Sequence, residues 1–215
     1  EDAEGNIYFG GLNEDTGPES IDPSSYLGAF WYRYNVRLDK VEVLGKISRH
    51  FGLLGMVMDP VYMRLYGLAE DGHLYMHDIA ARTTRDLGKV DDWDICRTIF
   101  ADDQGNVYGS FPVGQIWKYD PVKDEIVDFP NIRLQYDMRV LPRTMSKPMI
   151  DRKVIWRVIE WDPVEKVAYG IIGGNSMLFR YDVHEGAEGK IEYLVPMTAP
   201  QYWDESNVRM IPFAT

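Results

Sequence analysis

The chain has 215 residues, 45% hydrophobic and 13% aromatic, which is enough for a sizeable core and too apolar for a disordered segment. A formal net charge of −11 argues against a general nucleic-acid binder and an anionic membrane surface, and no apolar run approaches the roughly 18 residues that membrane insertion as a helix requires. Cys96 is the only cysteine, so no internal disulfide can form.

In chain order, one short pattern occurs four times. Asn6-Ile7-Tyr8-Phe9-Gly10 is followed by Phe30-Trp31-Tyr32-Arg33-Tyr34-Asn35. Arg64-Leu65-Tyr66-Gly67 is followed by His73-Leu74-Tyr75-Met76-His77-Asp78. Gly105-Asn106-Val107-Tyr108-Gly109 leads to Gln115-Ile116-Trp117-Lys118-Tyr119-Asp120, and Val167-Ala168-Tyr169-Gly170 to Met177-Leu178-Phe179-Arg180-Tyr181-Asp182. Self-similarity at a period of roughly 40–50 residues, with several short strands per unit, points to an all-β fold, a β-propeller of four-stranded antiparallel blades. Each blade reads as four strands running outward. The first is apolar and ends on Asp59, Asp102 or Asp162; the second carries Tyr-Gly, where the Gly allows close approach. The third ends on a turn-starting Asp or Asn, and the fourth is a polar outer edge.

The pattern places approximate blades at 1–50, 51–92, 93–153 and 154–206, with 207–215 an innermost strand that completes the ring or opens the next blade. Two architectures stay open: a closed ring of four units, or part of a six- to eight-bladed ring. The opening at Glu1 has neither an initiator Met nor a signal peptide. That suits a processed exported protein, periplasmic or extracellular, or a stretch of a longer chain whose remainder is its partner.

Twelve residues separate Tyr66 from Asp78 and Tyr108 from Asp120, but 27 separate Tyr8 from Asn35. The first unit therefore carries an insertion near 12–26, and a second insertion covers 131–153. In an antiparallel blade both leave from the same face, opposite the short turns, so one face is elaborated and the other trimmed. Function is expected on the elaborated face.

Arg97 and Arg157 lie five residues before a strand-ending Asp, and Arg209 resembles them. Equivalent positions on inner strands should cluster around a central channel, where guanidinium groups could hold a carboxylate or phosphate; pairing with the nearby acidic loops is the structural alternative. His50 is the candidate general base because histidine titrates near neutrality. His73 and His77 share one face of a strand and suit packing between blades, and His184 falls in a turn of the trimmed face. Trp93 and Asp94, with Trp203, stand before inner strands, where aromatics beside a carboxylate suit sugar stacking at a pocket mouth or, alternatively, packing between blades. Arg139 and Arg143 belong to a basic patch within 131–153. No nucleophile triad, Walker loop, dinucleotide fingerprint or haem motif appears, and neither a cofactor nor a metal is expected.

The run Asp102-Asp103-Gln104-Gly105-Asn106-Val107-Tyr108, with Gly114-Gln115-Ile116-Trp117-Lys118-Tyr119-Asp120-Pro121, resembles the blade repeat of streptogramin-lyase-like and gluconolactonase-like propellers and of related propeller polysaccharide lyases. The resemblance covers all four units and implies the fold. For the lyases it implies a His base, which only His50 matches.

Two functions follow as expectations. The first is a non-catalytic binding or assembly module that docks a protein partner or glycan on the face carrying loops 12–26 and 131–153. The alternative is a lyase or lactonase-type enzyme on an anionic sugar, with His50 as base and Arg97 and Arg157 holding a carboxylate.

Overall fold

In a computed structural model of the chain, residues 1–11, 29–48, 51–90, 98–135, 154–173 and 176–197 are described; they contain fifteen β-strands, one single-turn 3₁₀ segment and no α-helix. The architecture is the expected all-β one of propeller-type blades. Each blade is an antiparallel meander, the pairing that short turns between successive strands permit. The first sheet joins β1 (Ile7–Gly10), β2 (Ala29–Asn35) and β3 (Lys40–Ser48). The second joins β4 (Leu53–Asp59), β5 (Arg64–Ala69), β6 (His73–Asp78) and β7 (Thr83–Lys89). The third joins β8 (Phe100–Ala101), β9 (Val107–Phe111), β10 (Gln115–Asp120) and β11 (Glu125–Arg133). The fourth joins β12 (Trp156–Asp162), β13 (Val167–Ile172), β14 (Met177–Asp182) and β15 (Lys190–Pro196). The chain divides into two compact units, Glu1–Trp93 with the first two sheets and Asp94–Thr215 with the last two.

The repeated Tyr-Gly has a specific packing cause. Gly109 lies directly across from Trp117, and Gly170 across from Phe179. A Cβ at either glycine would collide with the aromatic ring of the adjacent strand. The close approach expected from these glycines is therefore made by a side chain rather than by backbone. Gly67 serves the neighbouring sheet as well, since a Cβ there would come within 2.7 Å of Trp31.

The Asp residues that end strands close the short turns. Asp102 Oδ1 accepts the backbone N–H of Gln104 and of Asn106, each at 2.9 Å. Its Oδ2 accepts Asn106 Nδ2 at 2.8 Å and the Tyr108 hydroxyl at 3.0 Å. Asp2 repeats the arrangement with Glu4, Asn6 and Tyr8 at 2.8–2.9 Å. Burial alone would raise the Asp2 carboxyl, but the donors from Asn6 and Tyr8 prevail and hold it at about 2. Asp59, Asp78, Asp120, Asp162 and Asp182 each accept at least one backbone N–H from the turn that follows.

The third sheet's innermost strand is shorter than its sequence suggested. Among the described residues its pairs are Phe100 with Tyr108 and Ala101 with Val107; Asp102, expected as the strand's last residue, is drawn into the turn it caps.

Candidate functional site

The turns capped by Asp2, Asp59, Asp78, Asp102, Asp120, Asp162 and Asp182 lie at one end of their sheets; the β5–β6 turn, where Asp71 accepts His73 N and the Tyr75 hydroxyl at 3.1 Å, and the chain segments 12–28, 49–50, 91–97, 136–153 and 174–175 connect strands at the other. Strand pairs at that end are extended by single backbone hydrogen bonds, Leu134 N to Gly114 O, Gly173 N to Ile155 O and Met197 N to Ser176 O, each at 2.8 Å, and Leu53 N to Gly11 O at 2.9 Å ties the second sheet to the first. Long connections thus spring from fixed stems.

Arg157 is the one proposed anion-binding residue within the described part of the chain. It is half-buried on β12, in the register irregularity between Trp156 and Val158. Leu54, five residues before Asp59 as Arg157 is before Asp162, occupies the equivalent irregularity between Leu53 and Gly55 on β4. The position that sequence spacing singled out is therefore a β-bulge, a feature that bends the strand and re-aims the side chain. Arg97, Arg209, Trp93, Asp94, Trp203, Arg139, Arg143 and His50 lie outside the described residues, as does the proposed closing strand at 207–215.

The other histidines have structural settings. His73 Nδ1 lies 3.0 Å from both oxygens of Asp86 on the next strand of its own sheet. His77 is fully buried; its Nδ1 is 3.0 Å from Thr84 Oγ1, its ring faces Trp31, and Nε2 has no hydrogen-bond partner among the described residues. Burial pushes its pKa below the ordinary 6.5. His184 is tied to Asp103 at 3.0 Å and stands edge-on to Trp161. Asp103 also accepts Lys166 Nζ at 2.9 Å, and this bond, with His184, holds its carboxyl below the usual range. His184 therefore helps clamp the third sheet to the fourth, a role invisible in a sequence where its partner lies 81 residues away. Among the described residues no group of three or more His, Cys, Asp or Glu side chains is arranged to hold a metal ion.

One cleft stands out in the second unit. Glu188, in the turn between β14 and β15, accepts Asn131 N at 2.9 Å, Asn131 Nδ2 at 2.7 Å and Ile132 N at 3.0 Å. The Tyr193 hydroxyl accepts Gln135 N at 2.7 Å. These bonds hold the end of β11 against β15 and leave a cavity of about 460 Å³ whose lining includes Arg133, Gln135, Lys190 and Tyr193. Lys190 Nζ also donates to Glu185 at 2.7 Å. Guanidinium, ammonium, amide and phenol groups beside the apolar Ile132 and Ile191 form a surface suited to a hydroxyl-rich or anionic ligand. Asn131 to Arg133, expected as the start of an insertion over 131–153, belong to β11, and the cleft lies between them and a wall drawn from the next sheet that no local pattern marks.

No protein-family model matches the chain, and no curated protein matches it in sequence. Solved structures do match its fold. An auxiliary nutrient binding protein from Bacteroides thetaiotaomicron superposes with a TM-score of 0.54 at 13% identity, over 81% of this chain and 40% of that one. Hydrazine synthase of Kuenenia stuttgartiensis superposes with a TM-score of 0.53 at 15% identity, over 85% of this chain and 53% of that one. The chain thus spans about half or less of these relatives' length, and at such identities the likeness concerns the fold alone.

Proposed function

We propose that this chain is a non-catalytic binding or assembly module that docks a glycan or a protein segment where the end of β11 meets the turn between β14 and β15. The observation that carries this reading is the polar cleft at the root of the 131–153 insertion, with Arg133, Gln135 and Lys190 around a cavity of about 460 Å³. The scaffold suits such a role, because Asp-capped turns stiffen the blades while the longer connections remain for recognition. The nutrient-binding description of one structural relative supports the same class.

Calorimetric titration with neutral and uronate-containing oligosaccharides, and with acidic peptides, tests the proposal. An anionic ligand should bind, and Arg133→Ala should cost about 1.5–3 kcal/mol, the usual worth of a charge-assisted hydrogen bond. Replacing 136–153 with a Gly-Ser linker should weaken binding further. Catalytic turnover of such a ligand, or binding indifferent to both changes, would overturn the reading.

A further inference from the structure

The third strands of the four sheets end alike, except in the second sheet. The residue before the strand-ending Asn35, Asp120 or Asp182 is a tyrosine whose phenol is locked to the following turn: Tyr34 to Asp39 at 2.6 Å, Tyr119 to Asp124 at 2.8 Å and Tyr181 to the Glu188 carbonyl at 2.7 Å. The same position before Asp78 is His77. Asp39 and Asp124 sit four residues beyond the strand end at φ of 51° and 56°, where the second sheet has Arg82 at 54° and the fourth Gly186 at 81°. On the fourth strand Tyr34, Tyr119 and Tyr181 are paired with Val41, Ile126 and Ile191, whereas His77 is paired with Thr84 and meets its hydroxyl at 3.0 Å. Where the other sheets lock a phenol to the turn beside an aliphatic residue, the second joins an imidazole to a hydroxyl and carries a cation at the turn. Linked departures from an otherwise consistent pattern mark functional places.

His77 is also where the first sheet rests on the second. Its ring lies 6.0 Å from that of Trp31 of β2, and a Cβ on Gly45 of β3 would come within 2.9 Å of its Cε1. Thr84 occupies Nδ1, and Nε2 has no hydrogen-bond partner among the described residues. Neutral imidazole suits this site. An imidazolium brings a charge and makes both nitrogens donors, with no acceptor in place for Nε2. Asp78 attracts the proton but lies 3.7 Å from Arg64 of β5. The remaining charges of the packed strands are engaged elsewhere or lie outside. Arg33 of β2 pairs with Glu42 of β3, Lys46 of β3 stands over Phe30, and Asp86 of β7 holds His73. Lys40, Arg82, Arg85 and Lys89 are exposed. Burial therefore outweighs the pull of Asp78 and disfavours the charged ring.

We infer that His77 is an acid-sensitive latch on the seam between the first and second sheets, and that its protonation releases β1–β3 from the second sheet. Separation at Trp31 and Gly45 is what lets water reach Nε2. The open form takes the proton more readily than the closed one. The seam is therefore tight above the ordinary 6.5 and loosens as pH falls through it toward the lower folded value, by up to about tenfold per pH unit for one proton. The inference is independent of the cleft in the second unit.

Amide hydrogen exchange of the 215-residue chain across pH, corrected for the intrinsic pH dependence of exchange, tests it. Protection in β2 and β3 should fall between about pH 7 and about pH 5, while protection in β10 and β14 of the second unit holds. His77→Gln keeps a hydrogen-bonding group for Thr84 without a titratable one and should make protection in β2 and β3 independent of pH. His77→Tyr with Arg82→Asp, which installs the phenol–carboxylate pair of the first and third sheets, should do the same. The two variants differ in volume, so one that packs poorly leaves the other to decide. Wild-type protection in β2 and β3 that stays flat over this range overturns the inference. So does a fall shared equally by β10 and β14, or one that persists in a folded variant.

Discussion

Asp102 accepts four hydrogen bonds, two from backbone N–H groups and two from the side chains of Asn106 and Tyr108. Those side chains are buried, so removing the carboxylate leaves their donors without a partner and without water. Asp102→Ala should therefore lower stability by at least about 3 kcal/mol, since bonds to a charged group contribute about 1.5–3 kcal/mol each and orphaned buried donors add a penalty. Denaturant unfolding with an unchanged slope would measure it. Gly109→Ala adds a single carbon where the Trp117 ring already sits. Overpacking of this kind costs about 1–3 kcal/mol, and the same substitution at Gly88, with open space around it but a φ of 109°, isolates backbone strain from collision. Should the two variants unfold alike, the ring-over-glycine account would be wrong.

The seam between the first and second sheets contains a titratable element. His77 of β6 lies against Gly45 of β3, Thr84 of β7 and Trp31 of β2, and the carboxylate of the adjacent Asp78 attracts its proton. Desolvation outweighs that attraction, so the folded state prefers neutral imidazole. The unfolded chain then binds the proton more readily. The stability from neutral His77 is complete above the ordinary 6.5 and declines as pH falls through 6.5 toward the depressed folded value. The difference in unfolding free energy between wild type and His77→Leu should change with pH over this window and be flat above it. A difference constant from pH 8 to the acid side would show that His77 does not titrate in the fold.

For the whole molecule, the acidic excess dominates solution behaviour. With a net charge of −11 and an isoelectric point near 4.8, like-charge repulsion keeps copies apart at neutral pH and vanishes near pH 4.8. Solubility should pass through a minimum there, and light scattering against pH would locate it. Far-UV circular dichroism should show a β spectrum; a helical content above about a fifth would contradict the architecture, since ordinary domains average near a third.

Local interactions are written in adjacent residues, and these the sequence determined by itself. The Tyr-Gly repeats and the strand-ending Asp residues were legible because strand alternation and turn capping depend on neighbours a few positions apart. The bulge shared by Leu54 and Arg157 was visible as a common spacing from Asp, although not as a bulge. What the tertiary structure alone decided arises between sheets. Glu188 meets Asn131 across 57 residues and His184 meets Asp103 across 81, and nothing local marks either partner. Val41 and Val43 alternate with polar residues as any half-buried strand does. Period-two patterning says that one face of a sheet is apolar, but only packing decides which faces find a neighbour, and the first sheet's second face remains open because burial is settled by the elements placed against it.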